Sequence, residues 1–206
     1  SYDQVASGSW SMYGVVYNSA DEDLELSKII VDKFNISIAS YAQPFSVKDE
    51  AGNPEALEFS PDGTKMYICG VSADTIFQYE LSVGFDISTA VYSQNFDLSL
   101  LEASPMGLFL NPAGDKMFVI GATGDDLNEF TLATPFSVST AIFIQAYSVS
   151  TQETVPAGVA FSADGFKMFI VGSSSDSVHE YTLDNSYSLT QVSFIQSFSV
   201  ASTETS

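Results

Sequence analysis

PEALEFSPDGTKMYICGVSADTIFQYELSVGFDISTAVYSQNFDL, residues 54–98, is the stretch whose reading decides the fold. It contains four short apolar or alternating runs: Ala56 to Ser60, Lys65 to Cys69, Thr75 to Leu81 and Ala90 to Leu98. The first two are separated by Pro61-Asp62-Gly63-Thr64, a turn sequence. The third alternates, with Phe77, Tyr79 and Leu81 on one side and Ile76, Gln78 and Glu80 on the other. Such spacing is that of strands, and no window carries helical periodicity. Four antiparallel strands with two apolar faces cannot stand alone in water and must stack on neighbours.

The neighbours are in the same chain. Phe34, Phe85, Phe136 and Tyr187 are successively 51 residues apart, as are Gln43, Gln94, Gln145 and Gln196. Asp23, Asp74, Asp125 and Asp176 keep the same spacing, and four copies of 51 take up 204 of the 206 residues. A long period filled with short strands indicates one supersecondary unit repeated. The expected fold is all-β: a β-propeller of four 51-residue, four-stranded antiparallel blades in a single domain. The blades fall at about 4–47, 55–98, 106–149 and 157–200. An alternative is half of an eight-bladed ring formed by two chains. The first strand of each copy, for example Gly107-Leu108-Phe109-Leu110, is the most uniformly apolar and suits the hub. The fourth strand suits the rim, where Pro44 in the first copy would be tolerated. In that copy the turn chemistry has drifted, with Trp10 aligned on Pro61.

Composition sets limits on partners. The chain is 45% hydrophobic and 13% aromatic, which argues for a folded core despite a net charge of -20. Its six basic residues are all lysines. A field of that sign repels phosphate backbones, so no nucleic-acid partner is expected, and no apolar run is long enough for membrane insertion as a helix. The lone Cys69 excludes an intrachain disulfide and reads as a buried hydrophobe. The start at Ser1 suits either a processed chain or a piece of a longer one.

The run Phe59-Ser60-Pro61-Asp62-Gly63-Thr64-Lys65-Met66-Tyr67 and its echo from Phe161 to Phe169 resemble a widespread propeller-repeat signature. So does Asp74-Thr75-Ile76-Phe77-Gln78-Tyr79, with counterparts at Asp125 and Asp176. Together they look like tryptophan-aspartate-like and Tyr-Val-Thr-Asn-type surface-protein repeats. The continuation from Leu81 to Ala90 is similar to repeats in phage structural and marine bacterial surface proteins. That resemblance, over three quarters of the chain, implies binding or scaffolding rather than catalysis.

Candidate functional residues are those that break the internal symmetry, because repeated positions maintain the blade. Trp10 and Tyr13 suit an aromatic platform for a sugar or protein, or else plug the drifted first blade. Glu58 stands on an inner strand where the other copies have Ser7, Phe109 and Ala160. His179, the only histidine, has Phe77 and Asn128 as equivalents and reads more readily as a packed residue than as a base. Asp21, Asp23, Asp74, Asp125 and Asp176 are either turn residues accepting backbone N–H bonds or carboxylates for calcium. No other cofactor is expected. The loops between strands two and three, and between blades, gather further acids including Glu102, Asp126 and Glu153 on one face of the disc. Lys65, Lys116 and Lys167 fall on the other.

The main expectation is a non-catalytic structural or adhesive module, extracellular, at a cell surface or on a virion. It would present loops to protein or glycan partners and self-associate into rings or arrays. Two alternatives stand beside it: a carboxylate-dependent enzyme of glycosidase or lactonase type, and a segment of a longer repeat scaffold.

Overall fold

The computed structural model describes residues 2–4, 10–17, 24–30, 41–51, 53–70 and 72–201. The chain forms two compact units, Ser1–Gln43 and Pro44–Ser206. In the first, β1 (Tyr2–Gln4), β2 (Trp10–Tyr17) and β3 (Leu24–Ile30) make an antiparallel sheet in the order β1-β2-β3. Here Trp10 is not in a turn; it opens β2 and pairs with Gln4. Residues 41–47, aligned with the fourth strand of the other copies, carry no strand.

The second unit holds three four-stranded antiparallel meanders. They are β4 (Pro54–Phe59), β5 (Lys65–Gly70), β6 (Thr75–Leu81) and β7 (Ala90–Asp97); then β8 (Pro105–Leu110), β9 (Lys116–Gly121), β10 (Asp126–Leu132) and β11 (Ala141–Ser148); then β12 (Pro156–Phe161), β13 (Lys167–Gly172), β14 (Ser177–Leu183) and β15 (Val192–Ser199). The first strands β4, β8 and β12 lie beside one another, whereas the fourth strands are largely exposed. That places the apolar first strands innermost and the fourth at the rim, as their composition predicts. The fold is all-β and propeller-like.

Apolar side chains from facing sheets fill the two gaps between the three four-stranded blades. Tyr67, Cys69 and Ile76 meet Leu108, Leu110, Met117, Val119 and Phe130, while Phe118, Ile120 and Leu127 meet Met168, Ile170 and Tyr181. Cys69 is fully buried and burial pushes its thiol up to about 12, so it acts as a hydrophobe.

The repeated residues acquire their roles here. In the strand-one-to-two turns of the second and fourth blades an Asp carboxylate closes the loop: Asp62 Oδ1 accepts from the Ser60 hydroxyl (2.7 Å) and the Thr64 N–H (3.0 Å), as Asp164 Oδ1 accepts from the Phe166 N–H (3.1 Å). These bonds, that from Ser60 first, hold the exposed Asp62 carboxyl at about 2. Gly63, Gly114 and Gly165 follow at φ 71, 72 and 74. Over each sits the aromatic of the 51-residue period, Phe85, Phe136 or Tyr187, itself held at φ 62, 60 and 50. The N–H of Phe136 donates to the Gly114 carbonyl at 2.8 Å, so turn and ring lock together. A Cβ at Gly114 would overlap the Phe136 ring. Gly114→Ala is therefore expected to lower stability by about 1–3 kcal/mol, through strain at positive φ and a displaced ring, measurable as a lower urea midpoint.

The repeated glutamine is a cross-strand partner. Gln94, Gln145 and Gln196 lie opposite Gln78, Glu129 and Glu180, to whose side chains they donate at 2.7, 2.8 and 2.7 Å. The same acceptors reach into the next blade: Gln78 Oε1 takes the Val138 N–H at 3.0 Å, and Glu129 Oε2 takes the Leu189 N–H at 2.8 Å. Each bond spans 60 residues and ties one blade's third strand to the next blade's outer loop.

Candidate functional site

β4 carries Glu58 directly opposite Tyr67 of β5, so both side chains share the sheet face that packs toward the third blade. One repeat later the corresponding pair is Phe109 opposite Phe118. There the face is filled by rings: Phe109 lies 4.9 Å from Phe161 between centroids, Phe118 4.6 Å from Phe161, and Tyr187 stacks on Phe109 at 6.1 Å. Between blades two and three the same places hold Glu58, Tyr67, Leu110 and Phe136. A carboxylate thus occupies a position built for a ring. The place of Phe161 is taken there by the smaller Leu110.

The consequence is electrostatic. Glu58 is half-buried among apolar neighbours, and burial raises its carboxyl from 4.5 to about 7. Tyr67 is fully buried; its hydroxyl donates to the Phe136 carbonyl at 2.9 Å, and burial, with the charges of Glu80, Asp62 and Glu58, pushes its ionisation well above the usual range. Tyr67 is therefore a fixed neutral donor beside an acid that titrates near neutrality. Because the folded state holds the Glu58 proton more tightly than the unfolded state, its stabilising contribution is complete below about pH 4.5 and is lost as pH rises through about 7. Unfolding free energy should fall over that window by on the order of 2 kcal/mol, and Glu58→Gln should flatten the fall. Denaturant titrations at pH 5 and pH 8 would measure it.

His179 is buried and fully engaged. Nε2 lies 2.8 Å from the Ser175 hydroxyl and Nδ1 2.8 Å from that of Ser197. Ser175 also donates to Glu153 Oε2 at 2.7 Å. Glu153 is buried, not exposed on a loop face as its position predicts. Oε1 accepts the N–H groups of Val155 (2.9 Å) and Ser174 (3.0 Å) as well as the Ser174 hydroxyl, and Oε2 also accepts the Ser175 N–H (3.2 Å). Burial pushes this carboxyl up, but the hydrogen bonds from Ser174, Ser175 and Val155 prevail and bring it to about 2. The Ser174 and Ser175 N–H groups are thus both taken up by Glu153. The cluster anchors the β13–β14 loop, a network joining residues that sequence spacing does not associate.

Trp10 and Tyr13 lie on β2, and their side chains, like Asp21 and Asp23, are outside the described residues. Asp74, Asp125 and Asp176 occupy turns at φ 47, 48 and 45, the left-handed region that favours Asp and Asn among non-glycine residues. It is their backbone carbonyls that accept, from Leu98, Val149 and Val200 at 2.7, 2.9 and 2.8 Å. The structure thus gives these positions a conformational role that sequence spacing does not display. Among the described residues no group of three or more His, Cys, Asp or Glu side chains gathers in a way that could hold a metal ion. Lys65, Lys116 and Lys167 each pair with a glutamate of the third strand, Glu80, Glu129 and Glu180, so the lysine-bearing turns hold compensated charge.

No family model matches this chain, and no curated protein matches its sequence. Solved structures do match. A protein assigned as 6-phosphogluconolactonase from Bacteroides uniformis is 16% identical with a TM-score of 0.53, over 93% of this chain and 52% of that one. Its counterpart from Bacteroides fragilis is 15% identical with a TM-score of 0.53, over 92% and 51%. The periplasmic gluconolactonase of Pseudomonas aeruginosa is 23% identical with a TM-score of 0.54, over 71% and 40%. The chain spans about half the length, or less, of these proteins. At such identities the likeness establishes the propeller-like fold. The expectation of a non-catalytic structural or adhesive module is corrected by these matches, whose names are those of lactonases.

Proposed function

We propose that the chain belongs to a lactonase-type enzyme that opens a neutral sugar-derived lactone, with Glu58 as general base. The observation that carries this reading is the half-buried Glu58 carboxylate on the innermost strand of its blade, in a place where the next copy has packed rings and with an ionisation near 7. A base poised near the operating pH is partly unprotonated at neutrality and still basic enough to take a proton. In the reaction Glu58 removes a proton from water as the water oxygen bonds to the lactone carbonyl carbon. The ring C–O bond then breaks, and the proton held by Glu58 passes to the departing alkoxide, leaving a hydroxy acid and the carboxylate restored.

The charge pattern selects the substrate class. There is no arginine, three lysines are paired with glutamates, and the net charge is -20, so a phosphorylated lactone would be repelled. An uncharged aldonolactone is the expected substrate. The test is acid release from glucono-δ-lactone, followed with a pH indicator against the spontaneous rate. Turnover above background, rising through about pH 7, supports the reading. A rate equal to the spontaneous one at every pH from about 6 to 8 would sink it.

A further inference from the structure

Glu102, in the loop leading into β8, is fully buried. Its Oε1 accepts the N–H groups of Ser104 (2.7 Å) and Thr123 (3.1 Å), while Oε2 has no hydrogen-bond partner among the described residues. Glu153, 51 residues on, is equally buried but has both oxygens satisfied, Oε2 by the N–H and hydroxyl of Ser175. The difference lies in three substitutions between the copies. Ser175 becomes Gly124, Ser177 becomes Asp126 and His179 becomes Asn128. The third blade thus loses the hydroxyl and imidazole that surround Glu153 and gains a second acid.

Both acids close on the same turn. A Cβ at Gly121 would overlap the Glu102 carboxyl, and one at Gly124 would lie 2.6 Å from Asp126 Oδ2. Asn128 Nδ2 donates to Asp126 Oδ1 at 2.8 Å, leaving Oδ2 as the other oxygen. Burial, and then the charge of Glu102, raises the Asp126 carboxyl. A buried carboxylate oxygen without a donor is costly, and a like charge beside it adds to the cost. A cation between them removes both penalties.

We propose that Glu102 and Asp126, closing on the Gly121–Asp126 turn, form a site for an oxygen-seeking divalent cation of the calcium type, with Glu102 Oε2 and Asp126 Oδ2 as its anionic ligands. Two protein carboxylates leave most of a six- to eight-oxygen shell to carbonyls and water, so a dissociation constant of about 10⁻⁴–10⁻³ M is expected. The site is distinct from Glu58 and does not depend on the lactonase reading.

Calorimetric titration of calcium chloride into the chelator-treated chain, at high constant sodium chloride to suppress diffuse binding, tests it. One saturable site and a calcium-dependent rise in Tm are expected for the native sequence. Asp126→Asn should weaken binding at least about tenfold, each lost ligand charge reducing affinity. Gly124→Ser, which offers Glu102 the hydroxyl that Ser175 gives Glu153, should weaken it too and serves if the first variant does not fold. Unsaturable heat, or a calcium response unchanged in the variants, overturns the proposal, as does a pair neutralised by a shared proton with no calcium response.

Discussion

Replacing Glu129 with alanine is expected to cost about 3–5 kcal/mol of unfolding free energy. The side chain is 1% exposed and serves three partners. Oε1 pairs with Lys116, and Oε2 accepts from Gln145 Nε2 at 2.8 Å and from the Leu189 N–H at 2.8 Å. Alanine would leave a lysine unpaired, a buried backbone donor of the fourth blade unsatisfied and a cavity at the joint. Glu129→Gln should cost far less. The second blade already shows why, since Gln78 at the equivalent position still accepts the Val138 N–H at 3.0 Å. Urea denaturation of both variants separates the cases. An alanine variant within about 0.5 kcal/mol of the parent would mean that the bond across the blades contributes nothing measurable.

Glu58→Gln is expected to lower kcat for lactone opening by about 10²–10⁴-fold, the range for a positioned general base. The amide keeps the shape but cannot accept the proton from water. The folded state should survive and become less sensitive to pH, because the variant loses the buried acid whose ionisation opposes folding. Glu55→Gln is the matched control: the same strand and the same charge change, at an exposed position. Equal losses in the two variants would assign the effect to general electrostatics and remove Glu58 from the chemistry.

Much of the blade is legible in the sequence. Strand limits in residues 54–98 agree with the structure to within two residues at each end, because alternation and turn residues are local signals. The glycine of each Asp-Gly turn was legible for the same reason. The aromatic period was visible too, but not its purpose, since Phe85 reaches Gly63 only after two strands have folded back. Asp74, Asp125 and Asp176 carry a backbone angle that their spacing does not reveal. The first copy was harder, because without the turn signature at Trp10 no local cue marks where β2 begins.

The candidate site was legible in one residue. Glu58 is legible as a break in the period, and the structure adds why the break matters: its burial on the face it shares with Tyr67 shifts its ionisation. The partners of His179 were not legible. Ser175, Ser197 and Glu153 share no spacing rule, and Glu102 and Glu153 looked like solvated loop acids.

By itself the amino-acid sequence determined the repeat, the strand order within a blade and the inner position of the first strand, because periodicity and turn chemistry act over a few residues. Tertiary structure alone decided which charges are dry. Burial and donor supply are properties of facing blades, and they make Glu58 an acid near 7, Glu153 one near 2, and leave a Glu102 oxygen without a partner.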